Sequence, residues 1–334
     1  METTQSNLNG GKTTQTKGNI NIENHGAIIV ARIDGGPHAL LDQEIAKQLK
    51  ELVDKVDKDP NIRAVVFTGT HPDRFLSHSD VAWLQKGGVG FPPITTGIAG
   101  VVSRMARLIN KIPIVRSLAA MTKLKTLLQL DNMHATFLKM NASGTIFIAA
   151  LNGTALAIGA ELAWACDIRI MADGDFVIGL TEVLLTLTPG GGGSQRLPRL
   201  IGMQQSLNAI LEGKPFTPAE ALALGAVDEV VPQNKVVERS IERAEYLSRR
   251  SKKSLGAIKR SVYFGSSMYI EKGLQLEHAE FLVRDQSKEA QHLMLDYIAE
   301  TAATGELPLL NREKYAQALN KGHIGNHPAN KSGR

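Results

Sequence analysis

The chain is predicted to fold as an α/β protein. Three observations carry this. An apolar, β-branched run, Ala27 to Ile33, is followed by an amphipathic stretch, Leu41 to Val56, and then by a second apolar run, Ala64 to Thr68. That strand–helix–strand order is the unit of a sheet with crossover helices. From Val236 to about Thr304 the pattern is mostly helical and highly charged, so a helical region closes the chain. No internal repeat is visible.

The elements follow in order. Residues 1–19 are polar and rich in Thr, Asn, Gln and Gly, and are expected to form a disordered arm. They have neither the apolar core of a signal peptide nor the arginines of a transit peptide. Gly35-Gly36-Pro37 turns the chain after the first strand, Asp59-Pro60-Asn61 breaks the first helix, and Gly69 ends the second strand. Phe75 to Asp80 reads as a loop into a short helix, and Gly87 to Gly100 as a mobile connection. From Arg104 to Lys139 the chain is apolar and basic, with Asp131 its only acid. Amphipathic helices with solvated basic faces are expected there, or a surface for an anionic ligand or membrane. Leu108, Ile109, Ile112, Leu118, Leu124, Leu127 and Leu128 are enough to wall a pocket.

Thr145 to Leu151 is predicted as a buried strand, Ala157 to Ala165 as a helix, Ile168 to Met171 as a strand and Gln195 to Gly213 as helical. Thr217 and Glu220 form a capping box for a helix over Pro218 to Leu224, closed by Gly225. Val227 to Val231 returns as a short strand, and the tail after Leu310 is expected to be loosely ordered. The division is an arm at 1–19, a core at 20–235 with a basic helical insertion at about 101–140, a helical oligomerisation region at 236–310 and a polar tail at 311–334.

Composition narrows the function classes. Of 334 residues 43% are hydrophobic, so a substantial core can form, while aromatics at 5% argue against a nucleic-acid stacking platform. The formal charge of +5 is compatible with an anionic small ligand as well as with nucleic acid. Cys166 is the only cysteine, so no intrachain disulfide forms, and the nine histidines show no close metal-ligand spacing. No apolar stretch has the length of a membrane span, which makes a soluble cytoplasmic protein the expectation.

Two carboxylates stand out. Glu161 lies in the apolar, glycine-containing stretch Ala150 to Leu162, and Glu182 in Gly179 to Leu185, shortly before Pro189 and the run Gly190 to Gly193. A carboxylate among apolar residues is costly to ionise unless something compensates. Such surroundings raise its pKa toward values useful for proton transfer. If the two converge, they can share acid and base work at one carbon–carbon double bond. The plain alternative for each is an ion pair or a helix edge. The glycine run follows strand-like residues and precedes a helix, so it is expected to bring a helix N-terminus close to a ligand. It lacks the Gly-Lys-Ser/Thr ending of a nucleotide P-loop.

From Ile146 to Gly202 the chain closely resembles the enoyl-CoA hydratase/isomerase family, the crotonases. The match runs through Ile148 to Gly153, Ala155 to Ala163, Cys166-Asp167-Ile168, Glu182 to Leu185 and Pro189 to Leu197, ending at Ile201-Gly202. Ile28 to Asp80 matches more weakly, and Leu211-Glu212-Gly213 with Ala219 to Pro232 fits the family's next segment. The resemblance implies a crotonase-like ββα spiral core with a C-terminal helical region, assembled as a homotrimer or hexamer. It implies an acyl-CoA thioester substrate and no cofactor beyond the coenzyme A that is part of it. Nucleic acid and a membrane span are not expected.

By position, the resemblance makes Glu161 and Glu182 the catalytic pair. The backbone N–H groups of Ser79 and Ile158 become an oxyanion hole for the thioester enolate. The substrate-binding positions are Ala39, Leu40, Ser77, His78, Asp80, Gly159 and Gly190, with Leu40 and its neighbours receiving the adenine. Ile158 stands where glycine is usual. So does His78, expected as a hydrogen-bonding or space-filling residue, with a catalytic role as the alternative. Retention of both glutamates favours hydration of a 2-enoyl-CoA to a 3-hydroxyacyl-CoA. An isomerase, a decarboxylase or a carbon–carbon hydrolase on the same scaffold is the alternative. A non-catalytic protein binding an anionic ligand is the second.

Overall fold

The computed structural model describes residues 17–89, 93–119, 121–122 and 125–325. Strand β1 (Asn19–His25) pairs antiparallel with β2 (Ile28–Asp34) around Gly26, which has φ +64°. Helix α1 (Gln43–Lys58) starts at Asp42, whose carboxylate accepts from the Ile45 N–H at 2.8 Å. Then come β3 (Ala64–Gly69), β4 (Arg74–Leu76) and α2 (Val81–Gly88). The basic segment forms α3 (Thr96–Asn110), α4 (Pro113–Ala119) and α5 (Lys125–Ala142). Next are β5 (Ile146–Leu151), β6 (Thr154–Leu156), α6 (Ile158–Ala165), β7 (Ile168–Asp173) and β8 (Ile178–Gly179). Three helices come after β8, α7 (Gly193–Ile201), α8 (Met203–Glu212) and α9 (Pro218–Leu224), and then β9 (Glu229–Pro232). The remainder is helical: α10 (Val236–Ser248), α11 (Lys252–Tyr263), α12 (Ile270–Asp285), α13 (Lys288–Thr304) and α14 (Arg312–Lys321).

Six strands make one sheet in the order β1-β2-β3-β5-β7-β9, parallel except for β1. A second, short parallel sheet has the order β4-β6-β8. Each circuit of the chain lays a long strand in the first sheet, a short strand in the second, and returns through helices. This is the expected ββα spiral. The long strands read as unbroken apolar runs because both faces are covered. Val65, Phe67, Phe147 and Ala149 pack on one face among α1, α5 and α6, while Val66, Ile148 and Ala150 pack on the other against Val236 and Ala244 of α10.

Helix α11 is pinned to this sheet by a buried polar cluster. Lys259 Nζ donates to the Thr145 carbonyl at 2.8 Å and to Asp167 Oδ2 at 2.7 Å, and Tyr263 Oη donates to Asp167 Oδ1 at 3.1 Å. Burial lowers the Lys259 pKa, against the Asp167 carboxylate that raises it. Cys166, next in the chain, is a buried filler.

Several expectations need correction. The first helix begins at Gln43 rather than Leu41, because Leu41 bridges to Ser79 and Asp42 caps. The arm was expected to run to residue 19, but Asn19 opens a strand; residues 1–16 lie outside the described residues. The helix expected over Gln195 to Gly213 breaks at Gly202, with φ +83°. The connection over Gly87 to Gly100 contains the start of α3, capped by Thr95. The tail expected to be loose holds α14, whose last carbonyls, Leu319 and Asn320, accept from Arg250 and Arg249. In the basic segment Leu128 is buried, but Leu108, Ile112 and Leu118 face outward, so the apolar side is not turned inward within this chain. Lys123 and Leu124 lie outside the described residues.

Lys259→Met leaves the Asp167 carboxylate, only 12% exposed, without its cation and should cost about 3–5 kcal/mol in urea unfolding. Adding Asp167→Asn should recover part of that loss. A single-variant cost below about 1 kcal/mol would mean that the pair does not hold α11.

Candidate active site

The site forms where the strands of the large sheet hand over to the short sheet. Asn152, after β5, stitches that edge: its Oδ1 accepts from the Gly69 N–H at 2.9 Å and its Nδ2 donates to the His71 carbonyl at 2.7 Å. Ala157 then turns β6 into α6 with φ +48° and ψ −119°, a region that favours glycine. Its N–H donates to the Gly179 carbonyl at 2.8 Å. The turn leaves the Ile158 N–H at the first position of α6, with no acceptor among the described residues. Gly159 lets α6 press on β4, since a Cβ there would stand 2.0 Å from the Leu76 carbonyl oxygen.

The segment after β4 runs beside this helix start. The Leu156 N–H donates to the Ser77 carbonyl at 3.0 Å, the Leu41 N–H to the His78 carbonyl at 2.9 Å, and the Asp80 N–H to the Leu41 carbonyl at 2.9 Å. The Ser79 N–H is passed over, and it has no acceptor among the described residues. Ala39, with φ +51°, takes the Ser77 N–H at 2.8 Å, and the Ser77 hydroxyl donates to the His38 carbonyl at 2.7 Å. Leu40 donates its N–H to the Gly35 carbonyl at 3.0 Å. Ala39, Leu40, Ser77, His78, Ser79 and Asp80 therefore form one loop cluster. His78 Nδ1–H donates to the Ser79 carbonyl at 2.8 Å, the hydrogen-bonding role. The Asp80 carboxylate caps α2, accepting from the Ala82 N–H at 2.8 Å.

Glu161 sits on the first turns of α6 and is 1% exposed. The Gly191 N–H donates to both its oxygens at 2.8 Å, and the Gly193 N–H donates to Oε1 at 2.8 Å. The glycine run is required by this contact. A Cβ at Gly191 would lie 2.4 Å from Glu161 Oε2 and 2.5 Å from Ile158 Cδ1. The N-terminus of α7 thus meets a carboxylate of the chain itself. Burial raises the Glu161 pKa, against the N–H groups of Gly193 and Gly191 and the Arg196 guanidinium, which lower it.

Glu182 has a different setting. It opens a one-turn 3-10 helix after β8, and its Oε2 is buried with no hydrogen-bond partner among the described residues. Burial pushes its pKa up to about 7, and the charge of Glu161 adds to the rise. The Glu161 charge is thus felt at Glu182.

Three contributors escaped the sequence reading. Ala157 carries the turn, but alanine gives no hint of a positive φ. Arg196 lies over the Phe137 ring at 5.5 Å and donates to the Gly191 carbonyl at 3.1 Å. His134 of α5 donates through Nε2 to the Gly190 carbonyl at 2.5 Å, so the peptide that binds Glu161 through its N–H is fixed through its carbonyl as well. A lone histidine at helical spacing carries no signal of this.

Known proteins share this architecture. The family profile described as Enoyl-CoA hydratase/isomerase matches residues 116–303, more than half of the chain. The solved enoyl-CoA hydratase of Geobacillus kaustophilus HTA426 superposes with a TM-score of 0.68 at 25% identity, covering 84% of this chain and 94% of that one. The enoyl-CoA hydratase of Bacillus anthracis, 23% identical, shares the fold with a TM-score of 0.66 over 93% of this chain and 99% of its own. The fatty acid oxidation complex subunit alpha of Shewanella sp. strain ANA-3 is 30% identical over 219 residues, 65% of this chain. Those residues are 26% of that protein, so the chain spans about a quarter of its length. With the family profile covering more than half of the chain and both glutamates, the chain belongs to the enoyl-CoA hydratase/isomerase family.

Proposed function

We propose that the protein adds water across the double bond of a 2-enoyl-CoA to give the 3-hydroxyacyl-CoA. The observation that carries this is the unlike setting of two neighbouring carboxyl groups. Glu161 accepts three N–H contacts from Gly191 and Gly193, which favour its anion. Glu182 has a buried oxygen with no donor among the described residues and a pKa of about 7. Such a pair divides base and acid work at neutral pH. The thioester carbonyl takes the N–H groups of Ser79 and Ile158, where the first turn of α6 adds positive potential. Glu161 removes a proton from water as its oxygen bonds to C3, electron density moves to the thioester oxygen, and Glu182 delivers its proton to C2. Ala39 and Leu40 border the coenzyme A site, and Gly190 lines the cleft. The reaction needs no cofactor beyond the thioester, and the cytoplasm is its proposed setting. No helix among the described residues is long and apolar enough to cross a membrane.

One observation favours a second reading. Glu161 is almost fully buried with both oxygens engaged, whereas Glu182 is half-buried. A single accessible base suits a double-bond shift, in which Glu182 alone would carry a proton between carbons. Glu161→Gln separates the two: hydration should fall by about a hundredfold or more, whereas a single-base shift should survive.

Glu182→Gln should cut turnover by about a hundredfold or more with little change in ligand affinity. The competent pair holds one proton, and hydration only moves it from Glu182 to Glu161. With Glu182 titrating at about 7, kcat/KM should decline as pH rises through that value, in hydration and dehydration alike. A profile flat from pH 6 to 9 would count against the assignment.

Ser79→Ala should be mild, because the donor is the backbone, whereas Ile158→Pro should abolish activity by removing an N–H. A severe Ser79→Ala defect would show that the hydroxyl takes part instead.

The proposal includes assembly as a trimer or a dimer of trimers. Ile270 and Phe281 on α12 and Leu295 and Ile298 on α13 are all more than 60% exposed in the single chain. Such a face needs cover. Sedimentation should find the trimer or its multiple at micromolar concentration, and a stable monomer would refute this.

A further inference from the structure

A cavity of about 590 Å3 opens at the other end of the large sheet from the two glutamates. Ala27, Arg63 and Gly144 line it just before β2, β3 and β5 begin, whereas the candidate active site lies beyond the far ends of those strands. The end of α1 and the helices α11 and α12 complete its walls. Its lining holds six cationic side chains, among them Arg63, Lys252, Lys253 and Arg284, and one carboxylate, Asp57. Two more carboxylates lie against it. Glu280 pairs with Arg260 through both oxygens, and Glu289 accepts from the Ser251 hydroxyl at 2.8 Å. Asp59, whose charge acts on Lys252, is a fourth carboxylate, so the six cations exceed the anions around them by two.

Two of the cations are held in place by backbone carbonyls. Lys252 Nζ donates to the carbonyls of Val56, Asp59 and Ile62 at 2.7, 2.7 and 2.9 Å, and Arg63 Nη2 donates to the Arg250 carbonyl. Two guanidinium donors stay unanswered among the described residues: Arg63 Nε and Arg284 Nη1 are buried without an acceptor. Both residues also border the cavity, where an oxyanion with several acceptor oxygens can meet their positive charge. Planar guanidinium forks suit phosphate oxygens. The volume exceeds what a bare phosphate needs, so there is room for the group it esterifies. The competing acceptor inside the chain is Glu289, whose Oε1 is buried without a partner among the described residues and whose charge acts on Arg63.

We propose that this cavity is a second ligand site, separate from the thioester site, that binds a small phosphate monoester through Arg63 and Arg284. Calorimetric titration of the full chain at fixed ionic strength tests it, with inorganic phosphate and glycerol 3-phosphate as probes and glycerol as the neutral control. Both phosphates should bind saturably at one site per chain, and glycerol should not. Arg284→Gln and Arg63→Gln should each weaken binding by about tenfold or more. Arg284→Lys, which keeps the charge but loses the fork, should fall between. Arg284→Gln should leave the acyl-CoA KM unchanged. The proposal is overturned by absent or non-saturable binding, by binding that survives both glutamine variants, or by an Arg284→Gln variant that loses phosphate and raises the acyl-CoA KM together. The first outcome would mean that Glu289 already serves the arginines, and the last that the cavity is part of the thioester site.

Discussion

The Glu161 carboxylate in its cradle of glycine N–H groups is the contact on which the site depends. An ionisable group 1% exposed in an apolar helix is tolerable only with close donors. Gly191 and Gly193 supply them at 2.8 Å, and only residues without a Cβ allow that approach. The same contact joins α6 to the start of α7, so the two halves of the spiral meet at the carboxylate. Arg196 and His134 then secure the glycine backbone through the carbonyls of Gly191 and Gly190. Burial raises the pKa of the neighbouring Glu182, an anion fixed in this way adds to the rise, and Glu182 keeps its proton up to about pH 7.

The spiral accounts for how residues far apart in the chain converge. Each circuit ends in a short strand of the second sheet, and β4, β6 and β8 lie side by side. The segments that leave these short strands therefore emerge in one place. Ser77 to Asp80 leave β4, Ile158 to Glu161 leave β6, and Glu182 comes shortly after β8. Gly159 closes the gap between the first two, against the Leu76 carbonyl.

The strands are legible in the sequence because burial on both faces leaves continuous apolar runs, as at Ala64 to Thr68 and Ile146 to Leu151. The helix over Pro218 to Leu224 is legible because its capping box and its αL glycine have local chemistry. Strand β1 is not, since it is an edge with only Ile20 buried. Helical periodicity in the basic segment reveals an apolar face but not its cover, so the outward Leu108, Ile112 and Leu118 escape prediction. The glycine run shows the same limit. It announces N–H groups prepared for an anion but not that the anion is Glu161, thirty residues earlier. The importance of the two glutamates is visible in their apolar sequence surroundings; the difference between them arises from tertiary packing.

That difference is the central claim, and a carbon-13 NMR pH titration of the free protein, with side-chain-labelled glutamate, measures it directly. Glu161→Gln and Glu182→Gln assign the two carboxyl signals. Glu161 should ionise first, and Glu182 should titrate near pH 7 in the intact protein and lower in Glu161→Gln, where the neighbouring charge is gone. A Glu182 signal titrating in the ordinary carboxylate range, or a Glu161 that ionises last, would contradict the account.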